Sequence, residues 1–302
     1  MRTVGRPGRS GAAAALAMAL PAMALITATG VGARAAVPPA APSARAPAGP
    51  AGVAAPWAEL ANAATGAVLW SRSPAAPRPM GSIAKVMTAY VVIEAGGLNR
   101  VITVPRGIVG YDRKYGASTA GLRPGEKLTA LQLLYAMMLP SGCDAAYALA
   151  ASYGPGLTAF VARMNATAAR LGLRASRFSD FSGLPDPGPY TTYSTARDLV
   201  SLGRDAMRLP LFRQIVATRV YRVAAGPGRQ AHTWQNLNLL LARYPGAAGI
   251  KTGFTAAAGE CLLFEARRGG RTLIGVVLHS SPGDLNATFN DAIKMLNWGF
   301  SR

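Results

Sequence analysis

Acidic residues are scarce in this 302-residue chain: 13 Asp and Glu stand against 32 Lys and Arg, for a formal net charge of +19. The imbalance points to polyanionic surroundings. Nucleic acid is not the expected partner, because the basic residues are scattered and no zinc-finger, homeodomain or RNA-recognition pattern accompanies them. Histidine occurs only at His232 and His279, and cysteine only at Cys143 and Cys261. These few metal-ligating side chains lie far apart and form no zinc motif, so neither a metal nor another cofactor is expected. Two cysteines also make no disulfide framework, and none is expected between them.

The N-terminus names a compartment. Arg2, Arg6 and Arg9 precede an uncharged run from Gly11 to about Gly32, and Ala33-Arg34-Ala35 is a small-x-small cleavage pattern. Residues 1–36 are therefore read as a signal peptide, and the protein as exported to the wall side of the cytoplasmic membrane. Removing Arg2, Arg6, Arg9 and Arg34 leaves 28 basic and 13 acidic side chains, a formal +15. The alternative is an uncleaved anchor, but the Ala-rich run is broken by Pro21 and is only marginally long enough to span a bilayer. Residues 37–56 are almost wholly Pro, Ala, Gly and Val, which predicts an extended, disordered tether. The folded domain is expected over 57–302. Only Ser301-Arg302 follows Phe300, so any membrane attachment is expected from the N-terminus.

Within that domain, Trp57 to Leu60 and Ala67 to Trp70 read as a hairpin turned at Gly66. Val101 to Val104 is a short strand. Helical spacing recurs over Leu128 to Leu139, stopped by Pro140, and over 144–152, 156–171 and 194–207, the last capped by Ser194 or Thr195. Strand patterns follow at 219–223, 249–254, 260–267 and 272–279, the last two joined by Arg267-Arg268-Gly269-Gly270, and a final helix is expected over 284–300. An all-helical lobe at about 82–210, inserted between two parts of one antiparallel sheet, is an α+β architecture with a cleft between its lobes.

The chemistry starts at Gly81-Ser82-Ile83-Ala84-Lys85, which leaves a breaker-rich segment and enters an apolar helix. Ser82 should lie at the helix N-terminus, where free amides favour developing negative charge. Lys85, three residues on, shares its face, so a hydroxyl and an amine are held together. Alone this is an ordinary cap and a solvated lysine. Ser141-Gly142-Cys143 and Lys251-Thr252-Gly253 change the reading, because they follow in the order and rough separation of the second and third elements of a serine acyl-transferase site.

With these motifs the chain resembles the low-molecular-mass penicillin-binding proteins, serine D-Ala-D-Ala carboxypeptidases and transpeptidases of the peptidase S11 family. The likeness runs from about Trp57 to Phe300 and includes Leu122-Arg123-Pro124-Gly125-Glu126, Ser182-Gly183-Leu184-Pro185-Asp186 and Tyr244-Pro245-Gly246. It implies a β-lactamase/transpeptidase-like fold and a stem peptide of peptidoglycan ending in D-Ala-D-Ala as substrate, with β-lactams as covalent inhibitors. It further implies Ser82 as nucleophile, Lys85 as its base and Ser141 as proton relay. Lys251, Thr252 and Gly253 would bind the substrate, and the Ser82 and Phe254 amides would form the oxyanion hole. Anionic wall polymers or a membrane surface would attract the basic exterior.

Cys143 departs from the family, which usually has Asn there. A thiol is a weak donor without a second polar arm. It is expected to hold substrate less firmly, to bias the enzyme toward a restricted acceptor or transpeptidation, and to expose it to thiol reagents. Two other functions compete. A serine β-lactamase shares the three motifs, but the Glu-x-x-Leu-Asn segment of the class A pattern does not follow Ser141. A non-catalytic wall-binding protein would fit the charge, and Cys143 is the only feature in its favour.

Overall fold

The computed structural model describes residues 49–302; the expected leader and most of the tether lie outside the described residues. Strands β1 (Trp57–Asn62) and β2 (Val68–Arg72) form the expected hairpin. A 3-10 turn, Gly81–Ala84, runs directly into α1 (Lys85–Ala95). Then come β3 (Val101–Thr103), α2 (Gly107–Tyr115), β4 (Lys127–Thr129), α3 (Ala130–Met138), α4 (Cys143–Tyr153), α5 (Leu157–Arg170), α6 (Ala196–Arg208) and α7 (Pro210–Ala217). The chain closes with β5 (Val220–Val223), β6 (His232–Gln235), α8 (Leu240–Arg243), β7 (Ala247–Gly253), β8 (Cys261–Arg268), β9 (Arg271–Leu278) and α9 (Leu285–Phe300).

One antiparallel sheet of order β2-β1-β9-β8-β7 joins the two ends of the domain. Strand alternation gives it two apolar faces. Leu60, Leu262, Phe264 and Leu273 pack with Phe289, Met295 and Leu296 of α9, whereas Leu263, Ile274 and Val276 join the larger core of the helical lobe. Helix α1 is buried along its first eight residues, Lys85 to Val92, so it passes through that core rather than over it. β7 is the edge strand at the opposite side of the sheet from β2, and the groove opens there.

Three local devices set the chain's course. Thr129 and Gln132 form a capping box at the start of α3, each side chain receiving the other's backbone N–H (3.2 and 2.9 Å). Thr195, one of the two candidate caps, receives the Asp198 amide at 3.1 Å and starts α6. The tether expected through Pro56 is corrected at its end. Val53 and Ala55 are buried, and the amides of Ala54 and Ala55 donate to the carboxylate of Asp291 at 2.9 and 2.8 Å. The folded body therefore begins before Trp57, because an acid on α9 satisfies its backbone.

Candidate active site

A groove of about 570 Å³ runs along the C-terminal end of β7. Its wall brings together Ser82, Ser141, Thr252, Gly253 and Phe254, residues far apart in the sequence. Ser82 is delivered by the 3-10 turn at the head of α1. Two glycines make that delivery close. A Cβ on Gly81 would stand 2.6 Å from the Phe254 nitrogen, and one on Gly253 would collide with the Met80 carbonyl. Backbone thus meets backbone where the first and third motifs touch.

Ser141 lies between α3 and α4 in the left-handed backbone region, at φ 65°, where a non-glycine residue costs roughly 1–3 kcal/mol. The surrounding chain holds it there. Gly142 donates to the Ala136 carbonyl, Cys143 N–H to Ser118 O at 2.8 Å, and Ser118 Oγ to Ser141 O at 2.8 Å. The buried Asp144 carboxylate accepts from the amides of Ala120 and Leu122, and of Ala145 at 2.8 Å, which fixes the 118–122 strap beside the groove. Asp144→Ala would strand these buried amides. It is expected to cost about 3 kcal/mol and to lower the melting temperature by roughly 10 °C, read by calorimetry. A shift within about 2 °C would show that the strap holds itself.

Lys85 is fully buried and stands at the centre of the site. Its Nζ lies 2.7 Å from Ser82 Oγ, 3.5 Å from Ser141 Oγ, 3.2 Å from Cys143 Sγ and 3.2 Å from the Ser182 carbonyl. The serine–lysine pairing read from the i, i+3 spacing is thus present in space, and Ser141 joins it. Sequence reasoning missed what aims the Ser182 carbonyl. Asp180 Oδ1 accepts the amides of Ser182, Gly183 and Leu184, and Tyr111 donates to Asp180 Oδ2 at 2.5 Å while sitting 2.7 Å from Ser182 Oγ. Burial and then Asp180 raise the Tyr111 phenol, which stays a donor.

Two expected site residues stand behind the groove wall. Lys251 is buried, and its Nζ reaches the Thr252 carbonyl at 3.2 Å and Thr252 Oγ1 at 3.5 Å. Burial, and then the nearby Lys85, hold its amine well below the ordinary lysine range. Cys143 has no solvent exposure, so the expected exposure to thiol reagents is corrected: its sulfur is spent on Lys85 and enclosed by the strap. Both cysteines are free thiols, and burial pushes that of Cys261 up to about 12. Phe254 remains 48 % exposed at the groove rim.

A serine–lysine pair under a left-handed serine turn, bordered by an edge strand ending Lys-Thr-Gly, defines an acyl-transfer site on an α+β scaffold. The chain belongs to the Peptidase_S11 family, D-alanyl-D-alanine carboxypeptidase, whose profile matches residues 43–281. Among its relatives, the D-alanyl-D-alanine carboxypeptidase of Streptomyces sp. strain K15 is 41% identical over 252 residues, covering 80% of this chain and 85% of that one. The D-alanyl-D-alanine carboxypeptidase DacB2 of Mycobacterium tuberculosis is 37% identical, covering 78% and 79%. The crystal structure of the Streptomyces K15 DD-transpeptidase superposes with a TM-score of 0.78 at 39% identity, covering 83% of this chain and 98% of that one.

Proposed function

We propose that this serine-type D-Ala-D-Ala peptidase works through a Ser82 acyl-enzyme. Ser82 Oγ attacks the carbonyl between the two terminal D-alanines and passes its proton to Lys85. The Oγ–C bond forms as the carbonyl π pair moves onto oxygen, and collapse of that oxyanion restores the carbonyl and breaks the C–N bond while the proton reaches the leaving D-alanine amine through Ser141. The Ser82 and Phe254 amides receive the oxyanion. Water then gives carboxypeptidase turnover, and a peptide amine gives transpeptidation. The observation that carries this reading is the position of Lys85 Nζ, within 3.5 Å of both Ser82 Oγ and Ser141 Oγ. Thr252 meets the substrate's terminal carboxylate, with Lys251 supplying positive charge from beneath. The leader, residues 1–36, serves export, which fits a family that acts on the cell wall.

Intact mass after incubation with benzylpenicillin tests the proposal. One penicilloyl group should remain on the protein. No adduct with intact drug would favour a wall-binding protein without activity, and no adduct with consumed drug a β-lactamase.

Cys143 occupies the position from which an amide would both support Lys85 and reach the peptide. Cys143→Asn is expected to raise the share of hydrolysis over transfer to an added amine and to lower KM for the peptide. Identical product partition and KM in both enzymes would remove any special role for the thiol. Because the thiol is enclosed, a mercurial should react with the native protein only slowly.

Lys251 makes substrate binding depend on pH. Its charge is lost at lower pH than that of a free lysine, about 10.4, so binding of a carboxylate-ended peptide should weaken as pH rises through that lowered value. The check is KM for a D-Ala-D-Ala peptide against its C-terminal amide across the alkaline limb. A ratio independent of pH would place the carboxylate elsewhere.

A further inference from the structure

A second, smaller cavity, of about 120 Å³, is lined by Trp57, Arg78, Tyr190, Ala257, Ala258 and His279, and it shares no residue with the groove. Arg78 comes from the segment before the Ser82 turn, where its backbone is fixed by paired hydrogen bonds with Ser194 (2.7 and 3.0 Å). Its guanidinium carbon lies 4.0 Å from the centroid of the Trp57 ring. That contact holds the cation in place but spends none of its hydrogen-bonding capacity. Among the described residues the Arg78 side chain makes neither a hydrogen bond nor an ion pair, and its Nε is enclosed. A buried donor without an acceptor is costly, so this arginine is set up for an acceptor that comes from outside.

The wall beside it is built with a second departure from rest. His279, directly after β9, has φ 59°, in the left-handed region that a non-glycine residue enters only at a cost. Its Nδ1 lies 3.0 Å from the Ala258 carbonyl, and because a carbonyl only accepts, Nδ1 carries the proton. Nε2 is then the uncommitted nitrogen, an acceptor in the neutral ring and a donor in the charged one. Tyr190, 61 % exposed, adds a phenol. A guanidinium fork matches the paired oxygens of a carboxylate or phosphate, and an imidazole nitrogen with a phenol beside it suits a neighbouring hydroxyl.

We propose that Arg78, His279 and Tyr190 form a binding site, separate from the groove, for the oxyanion of a small hydroxylated ligand. Arg78 takes two of the oxygens, and His279 Nε2 and the Tyr190 hydroxyl take the adjacent hydroxyl. The site uses none of the residues of the acyl-enzyme reading and stands without it. Two probes separate the possible sources of the oxyanion: glycerol 3-phosphate carries a phosphate, and lactate a carboxylate, each with a hydroxyl nearby. Titration of the wild type followed by nuclear magnetic resonance should show a saturable shift of the Trp57 indole N–H, one of four tryptophans, assigned by its loss in Trp57→Phe. Binding measured by calorimetry should weaken by about tenfold or more in Arg78→Met, and by less in Arg78→Lys, which keeps the charge but loses the fork. His279→Asn, whose asparagine tolerates the left-handed backbone, should weaken it as well.

Binding of glycerol 3-phosphate alone would make this a phosphate site, and binding of lactate alone a carboxylate site. No saturable shift with either probe, well above the millimolar range, would overturn the proposal and leave Arg78 as a cover over Trp57. So would binding that is undiminished in both Arg78 variants. The wild-type titration needs no variant of Arg78 to fold. Because Trp57 does not line the groove, a carboxylate that enters the groove instead leaves its indole resonance where it was, and that result also counts against the site.

Discussion

Ser82→Ala is expected to lower D-alanine release from a D-Ala-D-Ala peptide on the order of 10⁶-fold and to abolish the penicilloyl adduct. The magnitude follows from how the residues act together. With the nucleophile gone, Lys85 and Ser141 have no proton to move, so their separate contributions vanish with it. The substitution removes one hydroxyl from a residue 9 % exposed and leaves the 3-10 turn intact, so the fold should persist. Release assay and intact mass on the same preparation are the check. Peptide turnover above about 1% of wild type would mean that another group attacks.

Lys85→Met should be the next most damaging change, slowing acylation by penicillin about 10³- to 10⁴-fold, toward the upper end of what a positioned base supplies. Methionine fills a similar volume and carries no charge into a site where Lys85 is fully buried. The Ser182 carbonyl loses its donor, so the melting temperature should fall by only a few degrees while activity collapses. A second signature separates this from general damage. Lys85 helps depress the Lys251 amine, so its removal should move the alkaline loss of carboxylate binding to higher pH. Stopped-flow acylation across pH reads both effects, and an unchanged acylation rate would assign the proton to a different group.

What could be read from the sequence divides along sequence distance. Ser82 and Lys85 were legible because one helical turn fixes their relation, and β8 and β9 because apolar runs flank a Gly-Gly turn. Helix α2 was missed: glycines at 107 and 110 and charges at 112–114 dilute its periodicity, and only Ile108 is fully enclosed. Its Tyr111 could not be placed either, since its partners Asp180 and Ser182 come from a loop that folds against it only in three dimensions. Asp291 and the chain before Trp57 are the same kind of case, an acid and two amides 236 and 237 residues apart. At Cys143 and Lys251 the residue types were legible but their burial was not. Whether a side chain in a motif faces the groove or the core depends on how the lobes meet.

That meeting has a mechanical consequence. The Ser82 turn belongs to the helical lobe and Phe254 follows the sheet's edge strand, and they approach through Gly81 with no side chain between them. The spacing between their two amides is therefore set by the seating of one lobe on the other, not by any rotamer. A lateral displacement of a few tenths of an ångström between lobes would detune the reaction centre before any strand or helix had melted. Activity in this enzyme is thus a gauge of how firmly its halves are clamped.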